Sequence, residues 1–151
     1  MKASIISSTR SPYGDYASAH RNLGEAYAMQ GRLGLAAGEY LRALDLMPSD
    51  VPLLNRASWI LATSPDAAVR DGGRARALAE RAVRLTSEHD AESLDSLAAA
   101  FAEQGSFEAA RQAARHALAE AHLMADSDLV QQIEFRLKTY EQDRAFRDAA
   151  R

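Results

Sequence analysis

Apolar residues recur along the chain at the three- to four-residue spacing of an amphipathic α-helix. In the first such stretch, Tyr16, Leu23 and Tyr27 follow a broadly helical period. Alternating runs of Val, Ile and Thr, which would indicate β-strands, are missing. The pattern therefore predicts an all-α chain with helices at about residues 15–30, 33–47, 51–62, 73–86, 91–104, 107–123 and 129–143.

Residues that end or start helices separate these stretches. Gly31 stops the first helix, and Asp50 and Asp71 are placed to cap later ones. The segment 63–73 breaks the rhythm because its Ser64-Pro65 pair indicates a cap followed by one short turn. The charged residues of this segment are expected to cap helices and to form local salt bridges.

Composition supports helices and excludes some chemistry. Alanine, the best helix former, accounts for 32 of the 151 residues, and its small side chain lets helix axes approach closely. The absence of cysteine excludes disulfides, cysteine-bound zinc and thiol catalysis. The formal net charge of −3 argues against a nucleic-acid partner, and no apolar run reaches the roughly 18 residues of a membrane span. Since no signal peptide is evident, the cytoplasm is the expected location by default.

The chain also repeats itself. Five small or apolar residues of the first two helices recur 74 positions later. Two repeats of about 34 residues would separate them by about 68 positions, so the middle repeat carries about six extra residues in the segment 63–73. The pairs are Leu23 and Leu97, Tyr27 and Phe101, Gly31 and Gly105, Ala36 and Ala110, and Ala43 and Ala117.

Within the first repeat, small, aromatic and leucine residues follow a fixed order. They are Leu23-Gly24, Tyr27, Gly31, Ala36, Tyr40, Ala43-Leu44 and Pro48. This order resembles the tetratricopeptide repeat. The second repeat, with its long loop after Trp59, is similar to a bacterial variant in which a longer loop joins the two helices of a hairpin. The resemblance implies an α-solenoid of three helical hairpins with a C-terminal capping helix.

The same resemblance implies a division of the chain and a binding surface. Stacked hairpins of this family form a right-handed superhelix with a concave, peptide-binding groove and no catalytic residues. The expected parts are a leader or linker at 1–14, a repeat domain at 15–143 and a polar tail at 144–151, in which a loose end is expected from Ala145 onward. Within the domain the expected repeats are about 17–50, 51–90 and 91–124, followed by the capping helix at about 127–143.

In such a stack the first helix of each hairpin lines the concave face. Side chains turned away from the core change from basic through polar to acidic along this face, which suits an extended peptide or a partner helix. An ordinary solvated face is the alternative. The candidate partner-binding residues are Arg21, Glu25, Asn55, Trp59, Glu92 and Asp95.

Trp59 leaves two placements open. It would be a natural anchor in the groove because tryptophan is enriched at the centres of interfaces. It would instead pack under the extra loop, against Pro65 or Val69, if it accompanies that loop as in the resembling variant, and this second placement is favoured. Some members of the family clamp a ligand's terminal carboxylate, but here Glu25 and Glu92 leave such a clamp incomplete.

No residue pattern nominates an enzyme, a metal site or a cofactor. His116 and Glu120 are four residues apart and share a helix face, yet a metal site usually needs three or four ligands. The expected function is therefore a non-catalytic module that binds a protein or peptide partner, without nucleic acid or membrane. The alternative is a self-assembling adaptor, a homo-oligomer that pairs through hairpin edges or through the capping helix with Phe135.

Overall fold

The computed structural model describes residues 12–148 of the chain. Most of the predicted leader and the last three residues of the predicted tail lie outside this part. Within it, the predicted all-α fold is confirmed, since it contains seven helices and no strand. The helices are α1 Pro12–Met29, α2 Leu33–Leu46, α3 Val51–Thr63, α4 Gly72–Leu85, α5 Ala91–Glu103, α6 Phe107–Leu123 and α7 Ser127–Glu141.

Four of these helices start at aspartate caps. The side chains of Asp50, Asp71, Asp90 and Asp126 accept hydrogen bonds of 3.1 to 3.2 Å from the backbone N–H three residues later. A cap of this kind stabilises a helix by about 1 kcal/mol. Because each cap fixes where its helix begins, equivalent positions in α3, α5 and α7 can be counted from the capping aspartate.

The helices pack as successive hairpins. The helix α1 packs against α2, α3 against α4 and α5 against α6, and α7 closes the series against α6. Larger side chains at the crossings would hold the helix axes apart, so the close packing accounts for the high alanine content. Twelve alanines are completely buried: Ala36, Ala43, Ala57, Ala75, Ala79, Ala82, Ala98, Ala100, Ala110, Ala114, Ala117 and Ala121.

The closest approach within the first hairpin is at Gly24. A Cβ on this residue would lie 2.8 and 2.9 Å from two carbons of the Tyr40 ring, nearer than atoms can pack. The glycine therefore lets the buried Tyr40 of α2 lie directly on α1. At the other end of the molecule, Ile133 and Tyr140 of α7 are buried in the core of the last hairpin, as the apolar pattern predicts.

The long loop between α3 and α4 is held by its own polar groups. The Arg70 guanidinium donates to the carbonyls of Ser64 and Pro65 at 2.7 and 3.1 Å, and the Asp71 N–H donates to the Leu61 carbonyl at 2.8 Å. The loop is thus an ordered turn that leaves the end of α3 at Ser64. No helix in the described part is both long and apolar enough to cross a bilayer.

Candidate partner-binding face

Equivalent positions on α3, α5 and α7 carry a large, a small and a large side chain. The ninth residue after the capping aspartate is Trp59 in α3, Ala99 in α5 and Phe135 in α7. We call the side of these three helices that carries Trp59, Asp95 and Arg136 the inner face. Ala99, on the helix between the two aromatic positions in chain order, is buried.

A buried ion pair joins α5 to α7 on the inner face. Arg136 Nε donates to Asp95 Oδ1 at 3.0 Å, and Arg136 Nη2 donates to Asp95 Oδ2 at 2.5 Å. Burial raises the pKa of Asp95, and the charge and hydrogen bonds of Arg136 act against that rise. Asp95, predicted to face a partner, therefore has its charge satisfied inside the protein.

The Arg136 guanidinium also lies over two aromatic rings. Its central carbon is 4.9 Å from the centre of the Trp59 ring and 5.4 Å from that of Phe146. A guanidinium this close to a ring is attracted by the negative ring face. Asp95 thus fixes Arg136, and Arg136 in turn supports the aromatic residues of the inner face.

The chain after α7 turns back across this face. We call residues 144–148 the C-terminal segment. Its Phe146 ring lies 5.9 Å from the Trp59 ring and 6.2 Å, edge to face, from the Phe135 ring. Both separations are typical of favourable aromatic pairs. Phe146 therefore occupies the space between the two large ninth-position side chains.

The two residues after Phe146 make polar contacts with α3 and α5. Arg147 Nη2 lies 2.7 Å from Glu103 Oε1, in an orientation that gives a charge contact without a hydrogen bond. Asp148 accepts a 2.8 Å hydrogen bond from Trp59 Nε1, and its backbone N–H donates to the Thr63 carbonyl at 2.9 Å. Residues 147 and 148 are therefore bound to α3 and α5.

These contacts use the C-terminal end of α3. The last four carbonyls of a helix have no partner inside it and need donors from elsewhere. Here the Leu61 carbonyl accepts a hydrogen bond from the Asp71 N–H of the loop. The Ala62 carbonyl accepts one from the Arg147 guanidinium at 3.5 Å, and the Thr63 carbonyl accepts one from the Asp148 N–H at 2.9 Å. The loop that departs at Ser64 therefore leaves two helix-end carbonyls open to the C-terminal segment.

Glu103 is held in place by the same loop. Arg70 Nε donates to Glu103 Oε2 at 3.2 Å, and both side chains are less than one fifth exposed. The other oxygen of Glu103 is buried and faces Arg147. The extra residues of the second hairpin thus orient a carboxylate toward the C-terminal segment.

The remaining predicted residues lie apart from this cluster. Glu25 forms a 3.5 Å ion pair with Arg56 between α1 and α3, and both side chains are substantially exposed. Asn55 donates a long 3.4 Å hydrogen bond to Asp90, and its buried Oδ1 has no hydrogen bond among the described residues. Arg21 is half-buried and Glu92 is exposed. Of the six predicted residues, the structure brings only Trp59 and Asp95 together around a common partner, Arg136.

The ring contacts of Trp59 in the structure differ from the favoured placement under the extra loop. Its ring meets Phe146 and Arg136, whereas Val69 of the loop approaches Gly34 on α2. The prediction from sequence missed Arg136 and the C-terminal segment. A lone phenylalanine in a polar tail is the one sequence signal that would have pointed to that segment.

The histidine–carboxylate pair on α6 forms part of a small polar cluster. Glu120 Oε2 lies 3.2 Å from His89 Nδ1 and 3.8 Å from His116 Nε2. Within residues 15–148, no group of three or more His, Asp or Glu side chains is arranged to hold a metal ion. Glu120 thus contacts one histidine of its own helix and one histidine in the turn before α5.

Comparison with known proteins agrees with the helical hairpins. The sequence profile of the tetratricopeptide repeat matches residues 17–50. The first hairpin is therefore similar in sequence to a tetratricopeptide repeat. The fold of the chain is similar to the N-terminal domain of stress-induced protein-1 (STI-1) from C. elegans, with a TM-score of 0.60 and 22% sequence identity over 85% of this chain and 99% of that one. No curated protein matches the sequence significantly.

The structural likeness establishes the all-α solenoid fold and nothing about a ligand. The profile match covers the first hairpin, α1 and α2. The second hairpin, with its long loop, and the third, with Asp95 and Glu103, carry most of the contacts described above. Most of the contacts of the inner face therefore lie outside the matched repeat.

Proposed function

We propose that this protein is a non-catalytic interaction module whose inner face binds an extended segment of a partner protein. The observation that carries the proposal is that the face already holds a stretch of polypeptide. It binds the main chain of Asp148 through the Thr63 carbonyl and binds three successive side chains through aromatic and charged groups. Recognition of an extended peptide combines hydrogen bonds to its main chain with contacts to its side chains.

The part of the face nearer to the N-terminus supports the same proposal. Between α1 and α3 the charged side chains of Arg21, Glu25 and Arg56 are partly or largely exposed. Beside them, the buried Asn55 Oδ1 has an acceptor position without a hydrogen bond from the described residues. This oxygen lies beneath the surface, so the charges of Arg21, Glu25 and Arg56 are the groups that a partner segment would meet first. A partner segment would then extend from this end toward Trp59.

Charge distribution favours a protein partner over nucleic acid. Along the proposed surface Asp95 and Arg136 neutralise each other, and the more exposed Arg21, Glu25 and Arg56 are mixed in sign rather than a continuous basic strip. Nucleic-acid affinity depends on several basic groups that neutralise phosphates together. A polypeptide with its own mixture of charges matches this pattern better.

Peptide selection on the immobilised full chain tests the proposal. Peptides enriched from a random library would be labelled, and their binding to the wild type and to variants would be measured by fluorescence anisotropy. We expect Arg21→Glu to weaken binding by about tenfold, as expected for a contact residue near the centre of an interface. The matched control is Arg115→Glu, an exposed arginine on α6. Equal binding by both charge-reversal variants would contradict a role for the inner face.

Self-assembly is a second candidate with an observation of its own. Leu123 and Met124, where α6 meets α7, are 80% and 61% exposed and form an apolar patch. Contiguous exposed apolar side chains often mark an interface. Light scattering of the wild type and of a Leu123→Glu variant tests this candidate, and we expect a dimer only in the wild type if the patch pairs two copies.

A further inference from the structure

Three successive residues of the C-terminal segment each meet a different kind of group on the inner face. Phe146 lies between two aromatic rings, Arg147 faces a buried carboxylate, and Asp148 accepts from an indole N–H. A segment that only filled space would need apolar contacts alone. These contacts instead depend on the identity and order of the side chains, as the contacts of a ligand do.

The aromatic position requires a ring. Trp59 and Phe135 stand on either side of the Phe146 ring, and the Arg136 guanidinium lies over both the Trp59 and the Phe146 rings. Each aromatic pair contributes about 0.5 to 1.5 kcal/mol beyond the burial of apolar area. An aliphatic side chain would keep part of the burial but lose the contact with the guanidinium.

The basic position requires a cation. Glu103 Oε1 is buried with no hydrogen bond, and its contact with Arg147 is the charge that compensates it. The Ala62 carbonyl that also faces Arg147 belongs to the C-terminal end of α3, where the helix dipole favours positive charge. A neutral or acidic residue would leave Glu103 Oε1 without its charge contact, although Arg70 still pairs with Oε2, and would remove the donor to the Ala62 carbonyl.

The acidic position requires an acceptor. Trp59 Nε1 is a donor without acceptor capacity, and it donates to Asp148 at 2.8 Å. The neighbouring Thr63 carbonyl takes the backbone N–H of Asp148, which fixes the register of the chain on the face. The three requirements together describe an aromatic–basic–acidic triplet outside regular secondary structure.

We propose that the inner face recognises partner segments that carry an aromatic–basic–acidic triplet, and that Phe146-Arg147-Asp148 is a built-in ligand that such a partner must displace. This inference rests on the proposed function and names the chemistry of its ligand. Because the built-in ligand is attached to the same chain, its effective concentration is of the order of millimolar for a short connection. A free peptide with the same triplet therefore binds the wild type more weakly than it binds a chain whose own triplet is damaged.

The test uses the full chain and a labelled peptide with the sequence of residues 141–148. Binding is measured by fluorescence anisotropy to the wild type, to Phe146→Ala and to Arg147→Ala, with circular dichroism as the check on folding. The matched control is Arg144→Ala, an exposed residue of the same segment outside the triplet. We expect both triplet variants to bind the peptide about tenfold more tightly than the wild type and the control do.

The outcomes distinguish this inference from the proposed function. If the peptide binds all four proteins alike, or none of them, the built-in ligand is refuted. When library-selected peptides still depend on Arg21 in that case, the proposed function stands; when no peptide binds, both fail. A wild-type dimer that dissociates on Phe146→Ala would refute the intramolecular arrangement, because the segment would then be bound by a second copy.

Discussion

Arg136 on α7 holds Asp95 on α5 through two hydrogen bonds, and both side chains are more than nine tenths buried. The pair links the last hairpin to the closing helix at the level of the Trp59 ring. Its removal would therefore affect the stability of the fold and the shape of the inner face together.

Breaking this pair is expected to be costly. In Asp95→Ala, the buried Arg136 loses its counter-charge, and one-sided removal of a buried ion pair costs about 3 to 5 kcal/mol. Urea unfolding followed by circular dichroism measures the change. The double variant Asp95→Ala with Arg136→Met should be less destabilised than the sum of the two single variants, because no charge is left buried. Simple additivity would show that the pair does not act as a unit.

The approach of Gly24 to Tyr40 gives a second prediction. In Gly24→Ala, the new methyl group would meet the Tyr40 ring at 2.8 Å, so we expect a loss of about 1 to 3 kcal/mol by overpacking. The control is Gly38→Ala in the interior of α2, where a Cβ has no atom within 4 Å. That variant should gain about 0.5 to 1 kcal/mol, since alanine is the better helix residue. Thermal melting of both variants measures the difference, and equal shifts would refute the close crossing.

Trp59, the one tryptophan of the sequence, reports on the C-terminal segment. In Phe146→Ala, the indole loses its neighbouring ring at 5.9 Å, and water gains access to it. We expect its emission to shift to longer wavelength and its quenching by acrylamide to increase. Arg144→Ala serves as the control and should leave both signals unchanged. An identical spectrum for Phe146→Ala would mean that the segment does not cover Trp59 in solution.

The raised pKa of Tyr140 predicts how the stability of the fold changes at alkaline pH. Burial raises the pKa of Tyr140 well above its usual range, and the nearby Asp95 carboxylate acts in the same direction. In the unfolded chain the phenol ionises near pH 10, so above that pH the folded state binds more protons than the unfolded state. The stabilisation is therefore complete below about pH 10 and is lost as the pH rises further.

The variant Tyr140→Phe isolates this contribution. The hydroxyl is buried without a hydrogen bond among the described residues, so its removal should change stability at pH 7 by less than about 1 kcal/mol. Between pH 10 and pH 11, roughly, the wild type should lose stability more steeply than the variant. The buried Tyr40, whose pKa is also raised, is present in both proteins and gives a common background. Parallel pH profiles would contradict the assignment to Tyr140.

The helices could be predicted from the sequence because their signals are local. Asp50 and Asp71 cap the helices that the pattern places after them, and Gly31 ends α1 with a φ of 75°. The apolar face of α7 could be predicted because a closing helix needs only one such face. Each of these inferences uses residues within a few positions of one another.

The site depends on contacts that no local pattern contains. Trp59 and Asp148 are 89 positions apart, and Asp95 and Arg136 are 41 apart. Spacing alone placed Asp95 toward a partner, whereas Arg136 covers it. The placement of Trp59 under the loop came from resemblance, and the single phenylalanine that contacts it lies in a stretch with no periodicity. Such pairings follow from the path of the chain in space rather than from sequence pattern.

The hydrogen bond between Trp59 and Asp148 also affects which hairpins can unfold separately. In a strictly linear array each unit touches only its neighbours, and unfolding can proceed from either end one unit at a time. Here Asp148, which follows α7 and the third hairpin, is bound to the second hairpin, so the second and third hairpins form one closed unit. The first hairpin is not part of this unit and can unfold separately. Amide hydrogen exchange should accordingly divide the molecule into one independent hairpin and one larger cooperative unit.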